Sequence, residues 1–155
     1  MGYRIQGLDR ARFAHLFGLA DEELESRGTR RVKADSERGY PCRIGLDHAA
    51  PGESLLLLNH VSLDVPTPFR TAYAIFVRED ASEPALHVNA LPPVLTGRTL
   101  SLRGFDGEGM LRTAALAGPG EVEDAIPQMF ADKAVASIHA HNAAYGCFLA
   151  RIERG

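Results

Sequence analysis

The sequence predicts an α+β domain built on a mostly antiparallel, curled β-sheet, with helices near its N-terminus and one helix before a C-terminal β-hairpin. Three observations predict it. Seven or so segments alternate apolar and polar side chains with the period of two that a half-buried strand requires, and short turns join most of them. Helix-like spacing of apolar residues is confined to the stretch near 9–28 and to 121–131. The alternation of strands and helices expected of a nucleotide-binding fold is missing, and so are Gly-rich phosphate loops.

Taken in order, Gly2–Gln6 reads as a short strand. Asp9 is placed to cap a helix that carries Phe13, Leu16 and Phe17 on one stripe and ends at Gly18, with His15 on the opposite side. A second short helix runs from Asp21 to Arg27 and stops at Gly28. Thr29–Ala34 is a basic strand. Pro41 holds Tyr40 extended and starts a strand at Cys42, whose thiol suits a small core position. Ala50–Glu53 is a turn. Ser54–His60 has leucines on both faces, so it should be central and covered on both sides, with His60 on the side of Leu56 and Leu58.

Val65–Phe69 contains two prolines and must be a loop. Thr71–Arg78 is an apolar strand, Ala85–Asn89 a short one, and Asn89–Gly97 is irregular. Arg98–Gly104 and Met110–Leu116 flank the Asp-Gly turn of Phe105–Gly109, with Leu100 and Leu102 inward and Ser101 and Arg103 outward. Glu121–Ala131 is helical, and Pro127 fits only if its regular turns begin near Asp124.

The chain closes on a hairpin with strands Ala134–His141 and Cys147–Glu153 and the loop Asn142–Gly146. The simplest register sets His141 opposite Cys147, His139 opposite Leu149 and Ser137 opposite Arg151. Alanines then meet Phe148, Ala150 and Ile152 in a packed layer, and the other face gathers His139, His141, Cys147, Ser137 and Arg151. Three chemistries fit that face. It is a half-solvated surface whose histidines bond locally; or His139 and His141 bind zinc or another divalent transition metal, with His60 as the third ligand; or Cys147 is a nucleophile with His141 as its base. His60 is equally accounted for as a buried imidazole bonded to backbone. Arg103 and Arg151, with Arg78 and Asn142, offer donors for a small anionic molecule. Each arginine also suits a solvated surface where its stem covers apolar neighbours.

Length and composition bound the rest. The 155 residues suit a single domain, 1–155, with a real core. The net charge is −3 and no long basic run occurs, so nucleic acid is not an expected partner. The longest run of large apolar residues, Leu55–Leu58, is far too short to span a bilayer. The start of the chain lacks the apolar stretch of a secretory signal, and Gln6 stands where a myristoylation motif needs Ser or Thr. A cytoplasmic location is expected, and in it Cys42 and Cys147 are expected as free thiols.

Several tracts occur in an order that resembles a known family: Gly39-Tyr-Pro-Cys-Arg43, Pro51-Gly-Glu53 before Leu55–Leu58, Ile75-Phe-Val-Arg-Glu79, Ser101-Leu-Arg103, and His139-Ala-His-Asn-Ala143 with Gly146-Cys147. The chain resembles the short bacterial proteins catalogued as domain of unknown function 1203. The resemblance implies one bacterial domain and no assigned activity. The chain departs from the family pattern at Ala144-Tyr145, where Arg-Pro is expected, and at Ala72-Tyr73-Ala74, where Ser-Gly-Pro is expected. Two function classes follow: a pocket on the His139/His141 face for a small anion or a metal ion, or an interaction module that self-associates, as a homodimer for instance, through an exposed sheet edge.

Overall fold

The fold is seen in a computed structural model, which describes residues 2–155. Nine strands among the described residues form two antiparallel sheets, β1 Tyr3–Gln6, β2 Arg30–Lys33, β3 Ser54–Leu63, β4 Thr71–Arg78, β5 Leu86–Val88, β6 Leu100–Phe105, β7 Leu111–Ala117, β8 Ser137–Asn142 and β9 Phe148–Arg154. The larger sheet has the order β5-β1-β9-β8-β6-β7 and the smaller β2-β3-β4. Both sheets are open, and β5 and β7 are the free edges of the larger one. The helices are α1, Asp21–Ser26, and α2, Val122–Phe130. The architecture is therefore mostly antiparallel sheet with few helices, divided between two sheets.

Each sheet packs its main apolar layer against helices or turns outside it. Leu100, Leu102, Ile138, Ala140, Ala150 and Ile152 of the large sheet pack against Val122, Ile126, Met129 and Phe130 of α2. Phe13, Leu16 and Leu24 pack against Leu56, Leu58, Ile75 and Val77 of the small sheet. β3 is central and its Leu55, Leu56 and Leu58 are buried, as leucines on both faces require.

Four local expectations are corrected. The N-terminal helix is a 3-10 turn, Arg10–Arg12, followed by further turns. Asp9 does cap it, accepting from Ala11 N at 3.0 Å. The chain then closes bonds three residues apart, from Phe13 N to Arg10 O, Leu16 N to Phe13 O and Leu19 N to Leu16 O. Apolar residues at 13, 16 and 19 match a period of three better than 3.6.

Second, Arg43–Leu46 is a turn and not a strand, with Leu46 at φ 53°. Cys42 only bridges to Phe76 and is buried as expected. Third, α2 begins at Val122, so Pro127 lies inside it. Burial of Ile126, Met129 and Phe130 holds the helix through the proline, which itself faces out.

Fourth, the hairpin register slips. Ser137 pairs with Glu153, His139 with Arg151 and Ala140 with Ala150, and a bulge then sets His141 opposite Phe148. The bulge places Leu149 in the core beside Ala150 and turns Phe148 to the histidine side. That side is not half-solvated. The small sheet covers it, with His60 of β3 meeting the Phe148 ring at 6.2 Å. His139 and His141 are 1% and 2% exposed.

Candidate functional site

The hairpin loop is built by its own side chains. Asn142 Oδ1 accepts from Ala144 N at 3.0 Å and Tyr145 N at 3.3 Å, an Asx-type turn. Gly146 sits at φ +79°, where L side chains are strained. Its carbonyl accepts the Nδ1–H of His141 at 2.9 Å. That bond fixes the tautomer of His141 and holds Cys147, the next residue, at the mouth between the sheets. Cys147 is half-buried and free, whereas Cys42 is fully buried.

Opposite Cys147 lies Arg43, carried on the Arg43–Leu46 turn. Its side chain is 2% exposed. Nε donates to Phe148 O at 2.8 Å and Nη1 to Pro41 O at 2.7 Å. Its guanidinium also faces the Cys147 sulfur. Burial pulls its pKa down to about 10, opposed by Cys147 and Cys42, so the group is a cation at neutral pH. A buried guanidinium without a carboxylate is unfavourable by several kcal/mol (order of magnitude) unless its protons are bonded or an anion arrives.

Arg43 and Cys147 line a pocket of about 320 Å³ between the sheets. Arg38 and Arg98 stand at its rim, and no Asp or Glu lines it. Among the described residues Arg98 makes no hydrogen bond or ion pair, and its Nε is buried without a partner. Burial lowers its pKa, and Arg38 adds to the effect. Arg38 uses one Nη to donate to Thr96 O at 2.7 Å. His48, beside both, is held neutral by burial and by the charges of Arg38 and Arg98. Asn142 contributes its amide, and Leu57, Tyr73, Phe76 and Tyr145 give the apolar walls.

Of the residues singled out from the sequence, Cys147 and Asn142 enter this pocket and the others lie elsewhere. His141 meets Phe148 across the ladder, not Cys147. His139 is flanked by Arg103 on β6 and Arg151 on β9. Arg103 Nε donates to Ser101 Oγ at 3.2 Å. Arg151 is half-exposed and pairs with Glu153 at 3.0 Å. Arg78 is engaged by Asp47, Glu53 and Asp80 at 3.0–3.5 Å.

His60, His139 and His141 do come near one another, but around a phenyl ring. Their ring centroids lie 6.2, 5.3 and 5.9 Å from that of Phe148. Among the described residues no three His, Cys, Asp or Glu side chains are grouped to hold a metal ion. Both ring nitrogens of His139 and Nε2 of His60 are buried without partners among the described residues. Burial first, then neighbouring cations, hold all three neutral: His139 at about 3 with Arg151 nearby, His60 at about 4 with Arg12, and His141 at about 4 with Arg103.

The arginines of the pocket escape a strand-based reading. On a strand, Arg43 would point away from Cys42 and its surroundings; on a turn it reaches across to β9. Arg38 and Arg98 sit in irregular segments that only the tertiary fold brings together. The one local signal is that Arg43 closes the Gly39–Arg43 tract, which meets the Asn142–Cys147 tract at this pocket.

A small antiparallel protein with an arginine-lined pocket between its two sheets is the class defined by this geometry. The family described as a protein of unknown function, DUF1203, matches residues 39–154, and the chain belongs to it. No curated protein and no solved structure matches the chain. No helix among the described residues is long and apolar enough to cross a membrane.

Proposed function

We propose that the chain is one domain that binds a small organic anion in the pocket between Arg38, Arg43, Arg98, Asn142 and Cys147. One observation carries this reading: three guanidinium groups line a concave site that no carboxylate lines, and among the described residues Arg98 makes no hydrogen bond or ion pair. Guanidinium donors are built to receive planar carboxylate or phosphate oxygens two at a time. Cys147 then lies at the ligand, as a thiol contact.

The accessible thiol provides the test. Cys42 is buried, so alkylation reads Cys147. Iodoacetate carries a charge that iodoacetamide lacks. Relative to free cysteine, wild type should favour iodoacetate over iodoacetamide by about fivefold at low salt, the scale of about 1 kcal/mol for a solvent-exposed ion pair. Arg98→Met should remove most of that preference. A ratio equal to that of free cysteine in wild type sinks the anion site.

A second reading rests on the free edge strand β5, where Leu86 and Val88 are 57% and 59% exposed. Pairing of two such edges would make a homodimer. Light scattering on wild type and Leu86→Asp separates the readings, because a monomeric wild type removes this one and leaves the pocket untouched.

A further inference from the structure

We infer that the ligand of this pocket is a flat aromatic anion, of the class of a benzoate-type carboxylate. The inference rests on the anion site proposed above and adds the shape of the molecule. A volume of about 320 Å³ is at the small end of small-molecule sites, room for one ring and its substituents rather than a nucleotide. The charged end has its receptors ready. Within the described residues neither Arg98 nor Asn142 Nδ2 makes a hydrogen bond, and Arg98 Nε is buried. Two donors of Arg43 are already held by backbone carbonyls, so Arg43 supplies field at the base more than a second fork.

The rest of the ligand meets rings. Tyr145 stands on the β8–β9 loop and is 78% exposed; Tyr73 stands on β4 and is 51% exposed. They come from different sheets, both line the pocket, and neither hydroxyl is hydrogen-bonded within the described residues. Phe76 also lines the pocket and packs on Tyr40, centroids 5.1 Å apart. Rings held at a pocket mouth without a packing partner recognise a flat apolar body by stacking. A phosphate ion or a sugar phosphate would leave these walls uncovered. A benzoate-type ion covers them and still brings a planar carboxylate to the Arg98 fork.

The test compares acetate, benzamide and benzoate by protein-observed NMR titration on wild type, Tyr145→Ala and Arg98→Met. Both substitutions alter side chains outside the apolar core and should leave the fold intact. Benzoate should bind at least tenfold more tightly than acetate and than benzamide. Tyr145→Ala should weaken benzoate several-fold without changing the iodoacetate preference at Cys147. Arg98→Met should erase the advantage of benzoate over benzamide. If acetate and benzoate bind alike while the iodoacetate preference stands, the aromatic class is wrong and the anion site survives. If benzoate binding is unaffected by both substitutions, the ring is bound elsewhere and the inference falls. If neither anion binds and the alkylation ratio is that of free cysteine, both the inference and the reading beneath it fall together.

Discussion

Acidification from pH 7 to pH 5 should cost this fold more stability than its carboxylates explain, because His60, His139 and His141 are buried in their neutral form. Each has a pKa below the ordinary 6.5, at about 4 for His60 and His141 and about 3 for His139. The unfolded chain therefore takes up protons below pH 6.5 that the folded chain refuses. Stability is full above that value and declines as pH falls towards the folded pKa values. At pH 5 an unfolded histidine is almost fully protonated and these three are not, which amounts to about 2 kcal/mol for each group. The three together come to about 6 kcal/mol, the lower end of a whole domain's stability. Urea unfolding at pH 7, 6 and 5 measures it. The critical variant is His139→Leu, which replaces a ring with two unbonded nitrogens by an apolar group of similar volume. Its loss between pH 7 and pH 5 should be smaller than that of wild type by about 2 kcal/mol, with unchanged denaturant slope. Equal losses in the two proteins would refute the reasoning, since His139 would then take up its proton in the folded state as readily as in the unfolded one.

Two further perturbations probe the site's frame. Arg43→Met removes the donors of Phe148 O and Pro41 O, held at 2.8 and 2.7 Å. It should lower stability by about 2–4 kcal/mol in urea unfolding, two buried carbonyls left unpaired. Gly146→Ala meets no neighbouring atom within 4 Å, so only the strain of φ +79° acts. A loss of about 1–2 kcal/mol is expected, read from the same unfolding curves.

The sequence was most readable where alternation is strict. Thr71–Arg78 is a strand with those bounds, and Asp106–Gly109 makes the turn between β6 and β7. The C-terminal hairpin exists where its Asn-to-Gly loop places it, but Phe148-Leu149-Ala150 is apolar throughout, so alternation alone cannot say which of Phe148 and Leu149 faces the core. The bulge decides it, and with it the histidine face changes from a wet surface to a layer around Phe148. Spacing of three at Phe13, Leu16 and Leu19 fits a loose helix or a chain of 3-10 turns, and bonds from Arg10 to Ala81 O and Glu79 O draw the segment's start away towards the loop after β4. The pocket was half legible. Cys147 and Asn142 belong to a local turn that the sequence shows, while Arg38, Arg43 and Arg98 owe their meeting to contacts far apart in the chain.

The position of the pocket has a mechanical consequence. Leu57, Tyr73 and Phe76 belong to one sheet, and Asn142, Tyr145 and Cys147 to the hairpin of the other. A molecule seated there acts as a rivet through both. Its arrival should slow amide hydrogen exchange in β4 and in the β8–β9 loop together, although no hydrogen-bonded ladder joins them, and leave the distant edges β5 and β7 exchanging as before.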